Sequence, residues 1–545
     1  MTDTSARWLY YGGTVLPQNG GGPAGAVAVG SDGRIIAAGS LGDLEGTITP
    51  ETRRINLNGR AIIPGFFDCH MHIAWLGQAL GQVDLSPNIA ADSSAIVRLL
   101  AARLSEAPGC VGVFGNRYDQ NRLPGGTHVT RQDLDRVSRE VPVRVEHTSG
   151  HAAVVNSRAL EMLGINRNSP DPPGGQIVRD DNGEPTGLLL ESASWNDIAK
   201  IFPEPTPAEQ LVALERANAY LLARGVTSAS DAHTMPGELE SYWSAIETDA
   251  LQIRVNCMVS WDEISRTYST PPPPAEFQPD AARVSWHRGH VGQAKLFADG
   301  AITTRTCVLS RAFDDMPENT GILMHEPEVL DELIRSAHDA GWQVATHAIG
   351  DRAIDLVLES YAAAQRARTR AYPGHRIEHC MLLDDALISR LRRQNVWSIG
   401  QPEFITRLAD AYLSALGQER ADRLSPYATL DERGCSQAFS SDCPVVPGAP
   451  LDGILAAMSR TASSGRVIGP SERLNAEAAL HAYTASPAYA TRTDRTRGTI
   501  EPGKWADFAI LSRNPLETRI DEWESLQVLA TVIGGNMVFG SEEAF

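Results

Sequence analysis

Apolar and polar positions change their rhythm twice along the 545-residue chain. Up to about residue 60 they alternate, as in "GAVAVGSDGRIIAAGS", where two β-type runs flank Ser31-Asp32-Gly33-Arg34. Alternating runs around an Asp-Gly turn predict a hairpin. The same character returns at the far end in "GTIEPGKWADFAILSR" and "LQVLATVIGGNMVFG". Two β-rich ends around one body predict that the termini meet in a small β-sandwich, built from residues 1–60 and 495–545.

Between them, over 61–494, short apolar runs alternate with helical patterns. The runs are "AIIPGFFDCHMH", "GVTSASDAH", "QIRVNCMVS", "GQAKLFADG", "WQVATHAIGD", "HRIEHC", "NVWSIGQP" and "CSQAFSSDC". Helical periodicity lies between several of them, as in "PEVLDELIRSAHDAG" and "DRAIDLVLESYAAAQRAR". Eight strand–helix units predict an α/β fold of the (β/α)8 TIM barrel type. From about 83 to 215 the rhythm breaks into Gly/Pro-rich turns ("DPPGGQIVRDDNGEPTG") with β and helical pieces of their own. This stretch predicts an inserted α+β subdomain over the barrel mouth. "STPPPPAEFQPD" (269–280) reads as a stiff surface loop.

Composition changes this picture little. Hydrophobic residues at 42% and charged residues at 21% are ordinary for a globular protein. The formal charge of −19 argues against nucleic acid or an anionic membrane as partner, since both require a basic face. The N-terminal "MTDTSARWLYYGGTVL" has neither a basic nor an apolar leader region, and no run has the length of a membrane span. Seven scattered cysteines without a Cys-x-x-Cys pair fit small buried hydrophobes in a reducing, cytoplasmic setting. Dimerisation is only the default expectation for such a protein.

The chemistry gathers at the predicted strand ends. In "PGFFDCHMH", His70 and His72 lie two apart on a strand, so both imidazoles face one way, as a pair of metal ligands must. The fourth strand carries Lys295, the fifth His347, the sixth His379, and the eighth ends at Asp442. Each has an ordinary structural explanation alone. His347 fits a hydrogen-bonded core histidine, Asp442 a turn, and Lys295 a partner of Asp299. Their joint occurrence at the C-terminal ends of barrel strands, where barrel chemistry resides, points instead to a shell for zinc or a similar first-row divalent ion.

With these segments in place the sequence resembles the amidohydrolase superfamily (amidohydrolase family 3), closest to the branch that includes N-substituted formamide deformylase. The resemblance rests on "PGFFDCHMH", "KLFADG", "THAIGDRAID", "RIEH", "QP", "SSDCPV", "AYTASPAYA" and "GTIEPGKWADFAIL". In the insertion it rests on "LPGGTHVTRQDLD", "SGHAAVVNSRAL" and "PPGGQIVRDDNGEPTG". It implies that His70 and His72 hold one metal and His347 and His379 a second. Lys295 would bridge the two as a carbamate formed with carbon dioxide, since an ammonium would be repelled by two cations. Asp442 would bind metal and serve as catalytic acid/base. His147, Thr303-Thr304 and Met71 depart from the branch's usual residues and bear on substrate choice.

The expected reaction is hydrolysis of a C–N bond in a small amide or formamide, with Asp442 moving the proton and His151 and Arg305 orienting substrate. Asn156 is as well suited to holding the insertion, and Trp75 and Met71 to core packing. The same ligands also serve a cyclic amide, an ester or a ring deamination. An alternative of another class is a non-catalytic, metal-stabilised scaffold.

Overall fold

In a computed structural model the chain is described for residues 5–107, 109–196, 200–372, 374–541 and 543. Its central sheet has eight parallel strands: β1 Phe66–Met71, β2 Val226–Thr234, β3 Arg254–Ser260, β4 Gly289–Phe297, β5 Gln343–Ala348, β6 Arg376–His379, β7 Trp397–Gly400 and β8 Gln437–Phe439. They pair in chain order, each with the next. The segment after β8 returns to β1. The Asp442 amide donates to the His70 carbonyl and the His72 amide to the Cys443 carbonyl, both at 2.8 Å. The Ser441 amide reaches the Asp68 carboxylate at 3.1 Å. The ring is the TIM barrel that the strand–helix alternation predicts.

Every residue of β1, β3, β5 and β6 is buried. Parallel strands covered on both faces run continuously apolar, which makes the polar residues left in them conspicuous. The surrounding helices start and stop where their caps allow. Asp384 accepts from the Leu387 amide at 2.8 Å and starts the helix Asp385–Gln394. Asn395, left-handed at φ 52°, ends it.

One predicted strand is divided. In "AIIPGFFDCHMH", Ala61–Pro64 pairs with the terminal strands and only Phe66–Met71 enters the barrel. Gly65 lies at the division, where a Cβ would come within 2.2 Å of the Thr227 side chain.

The two chain ends do meet. Ala6–Val15, Ala24–Gly30, Ile35–Gly39, Arg53–Asn56 and Ala61–Pro64 share one hydrogen-bonded sheet with Phe508–Leu511, Val528–Ile533 and Asn536–Phe539. Its edge strand Ile35–Gly39 bonds back to the run before Phe508, through Ile35 N to Lys504 O at 2.9 Å and Gly503 N to Ile35 O at 2.8 Å. The sheet thereby closes around a core that Tyr10, Val27, Ile62, Phe508 and Val532 share.

The insertion has its own six-stranded sheet, ordered Gly175–Arg179, Pro185–Glu191, Ala152–Val155, Val143–His147, Val113–Tyr118, Val83–Asp84. The helix Pro207–Leu222 already belongs to the barrel wall, since Leu214, Ala217 and Leu221 join the barrel's main core. Among the described residues no helix is long and apolar enough to cross a membrane.

Candidate active site

The helix α1 (Ile73–Ala79) begins directly after His72. Asp231 on β2 accepts from the Ile73 and Ala74 amides at 2.8 and 3.3 Å. A carboxylate at a helix N-terminus is favourable, and here it ties β2 to the turn that presents His72.

His70, His379 and Asp442 each bring one ligand atom within 4.8 Å of the others, and all three are buried. Asp442 Oδ1 lies 3.4 Å from His70 Nε2 and 3.2 Å from His72 Nε2. The ring of His379 is centred 4.9 Å from that of His70 and 4.4 Å from that of His347. Lys295 Nζ sits 4.5 Å over the Phe297 ring, itself 5.4 Å from the His347 ring. The trio is tight, His72 joins through Asp442, and His347 and Lys295 form the opposite flank. Lys295 is not the partner of Asp299. That carboxylate instead accepts the Val308, Ile349 and Gly350 amides at 2.9, 3.0 and 2.9 Å.

Behind the histidines stand groups that sequence reasoning assigned no role. Glu378 Oε2 bonds His70 Nδ1 and is itself held by Arg376, through Nε at 2.5 Å and Nη2 at 2.8 Å. Gln401 Oε1 holds His379 Nδ1 at 2.8 Å. His347 turns Nε2 to the Gly300 carbonyl at 3.2 Å and towards Asp299 at 3.5 Å. Each ring has one nitrogen committed, which leaves Nε2 of His70 and His379 and Nδ1 of His347 for a ligand. Such outer partners orient the rings and fix the tautomer in metal sites. Arg376 and Glu378 show one readable signal: oppositely charged residues two apart, hence on one face of the strand "RIEH". Gln401 and Asp299 carry none beyond their motifs.

Burial works against charge on Asp442, yet the close imidazoles of His70, His72 and His379 hold its carboxyl well below the usual range. Burial pushes His379 down to about 3 and His347 well below its ordinary value. Lys295 is pushed down to about 8 by burial, against the pull of the Glu378 and Asp442 carboxylates. Desolvation would raise Glu378, but Arg376 and His70 keep it below its normal value. The site thus combines the neutral imidazoles of His347 and His379 with an ionised carboxylate.

This donor set fits a divalent cation. Asp442 Oδ1 is buried, faces two imidazole nitrogens and still has no hydrogen-bond partner of proper geometry among the described residues. His379 and Asp442 also hold left-handed backbone, at φ 69° and 60°. Such conformations are uncommon outside glycine and gather at functional sites.

A cavity of about 480 Å³ opens beside this cluster, between barrel and insertion. His72 and Phe297 of the barrel and Trp75 of α1 line one side, and Phe114, Trp195 and Phe202 of the insertion the other. His151 also lines it, with Nδ1 2.7 Å from Glu191 Oε2 and its ring 5.0 Å from that of His347. Burial disfavours charge on His151, but the Glu191 carboxylate raises it above the ordinary value.

Arg305, the other residue expected to orient substrate, is engaged elsewhere. It pairs with Asp315 at 2.5 Å and donates to the Thr303 carbonyl at 2.7 Å, bracing its own loop, and it is not among the cavity residues. Asn156 caps the helix Ser157–Leu163 through the Ala159 amide at 3.0 Å and accepts from the Val143 amide at 3.1 Å, a holding role within the insertion. His147 is buried in the insertion against Ser149 Oγ at 2.7 Å, and Met71 is buried in the barrel core. Trp75 lines the cavity rather than filling the core.

The chain's residues 53–539 match the model of the amidohydrolase family. The amidohydrolase YtcJ of Bacillus subtilis is 32% identical over 93% of this chain and 94% of its own length. The N-substituted formamide deformylase of Arthrobacter pascens is 27% identical over 93% of each chain. An uncharacterised metal-dependent hydrolase from Pyrococcus horikoshii superposes with a TM-score of 0.73 at 27% identity, covering 94% of this chain and 99% of its own. Matched by its family model along most of its length, and built around a buried His–His–Asp cluster at the mouth of a barrel, the chain belongs to the amidohydrolase family as a hydrolase of the metal-dependent type.

Proposed function

We propose that this protein hydrolyses the C–N bond of a small amide, with N-substituted formamides the first class to test. The observation that carries the reading is Asp442, a buried carboxylate that faces His70 Nε2 and His72 Nε2 with an oxygen no hydrogen bond satisfies. The relative named N-substituted formamide deformylase supports the choice of bond. The aromatic walls of Trp75, Phe114, Trp195, Phe202 and Phe297 suit an apolar substituent on the amide nitrogen.

A divalent ion, zinc in this reading, held by His70, His72, His347, His379 and Asp442 supplies a Lewis acid that polarises the carbonyl and acidifies water. Asp442, ionised and within reach of that position, accepts the proton of the attacking water and delivers it to the departing nitrogen. The delivery matters because an amide anion is a very poor leaving group. His151, which lines the cavity with Nδ1 committed to Glu191, contacts the substrate through Nε2. Lys295 would be carboxylated: its neutral amine would form an N–C bond with carbon dioxide and release one proton to solvent, turning a repelled cation into an anion whose oxygens would also hold metal. Burial that lowers the Lys295 pKa to about 8 favours the neutral amine this needs. The seven cysteines, all unpaired, support a reducing compartment such as the cytoplasm.

The test is turnover of formanilide and N-benzylformamide by metal-loaded protein, read as formate and amine release. Release that is abolished by chelation and restored by metal is expected. Metal-loaded protein that cleaves no amide contradicts the proposal, and turnover of cyclic amides or esters alone moves the bond.

A further inference from the structure

The barrel residues leave one buried carboxylate at the mouth without a role. Glu191 ends the strand Pro185–Glu191 of the insertion, has no solvent exposure and holds a left-handed φ of 52°. Its Oε2 lies 2.7 Å from His151 Nδ1. Its Oε1 is buried without a hydrogen-bond partner among the described residues. It faces Gly300 closely enough that a Cβ there would come within 2.1 Å of it. The carbonyl of that same Gly300 accepts from His347 Nε2 at 3.2 Å. His151 is packed between the rings of His347 at 5.0 Å and Trp195 at 5.5 Å.

Stability does not account for this arrangement. A non-glycine residue in left-handed backbone is strained, and a buried oxygen without a hydrogen bond is a further cost to the fold. What the arrangement achieves is orientation. A carboxylate on Nδ1 fixes an imidazole ring and determines which nitrogen it offers outward. Here the nitrogen left over is Nε2, on a ring that lines the cavity and lies 5.0 Å from that of His347.

We propose that Glu191 is a positioning residue: it holds His151 so that Nε2 meets a polar atom of the substrate next to the metal cluster. The insertion is then a working part of the active site, supplying from its own sheet a contact that the barrel lacks. This rests on the hydrolase reading above and extends it from the barrel residues to the insertion.

The test is a double-mutant cycle on the amide that the wild type turns over, with Glu191→Gln, His151→Ala and the double variant at matched metal content. Each single change is expected to lower kcat/KM on the order of 10- to 100-fold. The double variant is expected to be no worse than His151→Ala, because Glu191 acts only through that ring. Losses that multiply in the double variant, or single variants that match the wild type, overturn the proposal.

A second readout needs no turnover. The wild type should show a strongly deshielded imidazole N–H proton resonance that disappears in His151→Ala. If the resonance is present but no amide is cleaved, the hydrolase reading fails while the pairing stands. If it is absent, the positioning role falls whatever the enzyme does. Neither the resonance nor His151→Ala requires a change at the buried carboxylate, so a misfolded Glu191→Gln leaves both decisive.

Discussion

The barrel mouth and the insertion wall build one site by different means. On the barrel side, β1, β4, β5 and β6 carry the chemistry at or next to their C-terminal ends, and hydrogen-bonded neighbours from the same sheet hold the side chains. His70 is set by Glu378 and Arg376, both on β6. On the insertion side His151 depends on Glu191, which is 40 residues away in sequence. The first set is held within the closed barrel sheet; the second is held within the insertion's own sheet, where the Glu191 amide also donates to the His151 carbonyl at 2.9 Å, and faces the barrel at the cavity. Binding and specificity can therefore change on the insertion while the reacting centre stays fixed.

The sharpest way to break this contrast is at Asp442. Asp442→Asn should lower kcat by about 1,000-fold, the scale of a lost general acid/base, while most metal remains by elemental analysis. Near-normal turnover would remove the proton-transfer role. Lys295→Ala should follow, losing metal and on the order of 100-fold in rate, with partial recovery when short carboxylic acids are added; unchanged loading and rate would eliminate the bridge.

Glu378→Gln probes how far the barrel's rigidity matters. It should weaken metal binding on the order of 10-fold or more. It should also cost about 3–5 kcal/mol of stability by leaving Arg376 buried without its counter-charge, visible as a lower melting temperature. The insertion should respond differently. Phe202→Ala, at the cavity wall and in edge contact with Phe114 at 5.3 Å, should raise KM by about 10-fold and leave kcat close to normal. An equal fall in kcat would place Phe202 in the reacting geometry instead.

Acid acts on the whole fold rather than on either side of the site. Burial holds His379 and His290 near 3 in the folded chain, against about 6.5 when unfolded. The unfolded chain therefore takes up protons first as pH falls through 6.5, and the folded state loses stability from there down towards 3. By pH 5 the loss is about 2 kcal/mol for each of the two. Denaturant unfolding of metal-free protein at pH 7 and pH 5 checks it, and equal midpoints would show these imidazoles to be less buried than described.

How much of this was readable follows from the same contrast. The eight strands and the candidate residues at their ends were legible because parallel strands buried on both faces leave polar residues exceptional. His70, His72, Lys295 and His347 stand out against mostly apolar neighbours, whereas His379 and Asp442 lie in polar runs and were marked by their places at strand ends. Gln401 lies inside a motif that assigns it no role, and Asp299 offers itself only as a partner for Lys295, since only the fold shows what they touch. Glu191 carried no signal, because "GLLLE" reads as an ordinary strand end. Arg305 misled for the opposite reason: a cation near a motif suggested substrate, but Asp315, ten residues on, neutralises it. The split at Gly65 was hidden because every residue of Ala61–Pro64 and of Phe66–Met71 is buried and the run reads as one continuous strand.

The central claim is that His70, His379 and Asp442 share one divalent ion. Anomalous diffraction from metal-loaded crystals, collected at the metal's absorption edge, tests it directly. The account predicts a peak within bonding distance of His70 Nε2, His379 Nε2 and an Asp442 carboxylate oxygen. A stoichiometrically loaded protein with its metal held by other residues would contradict it.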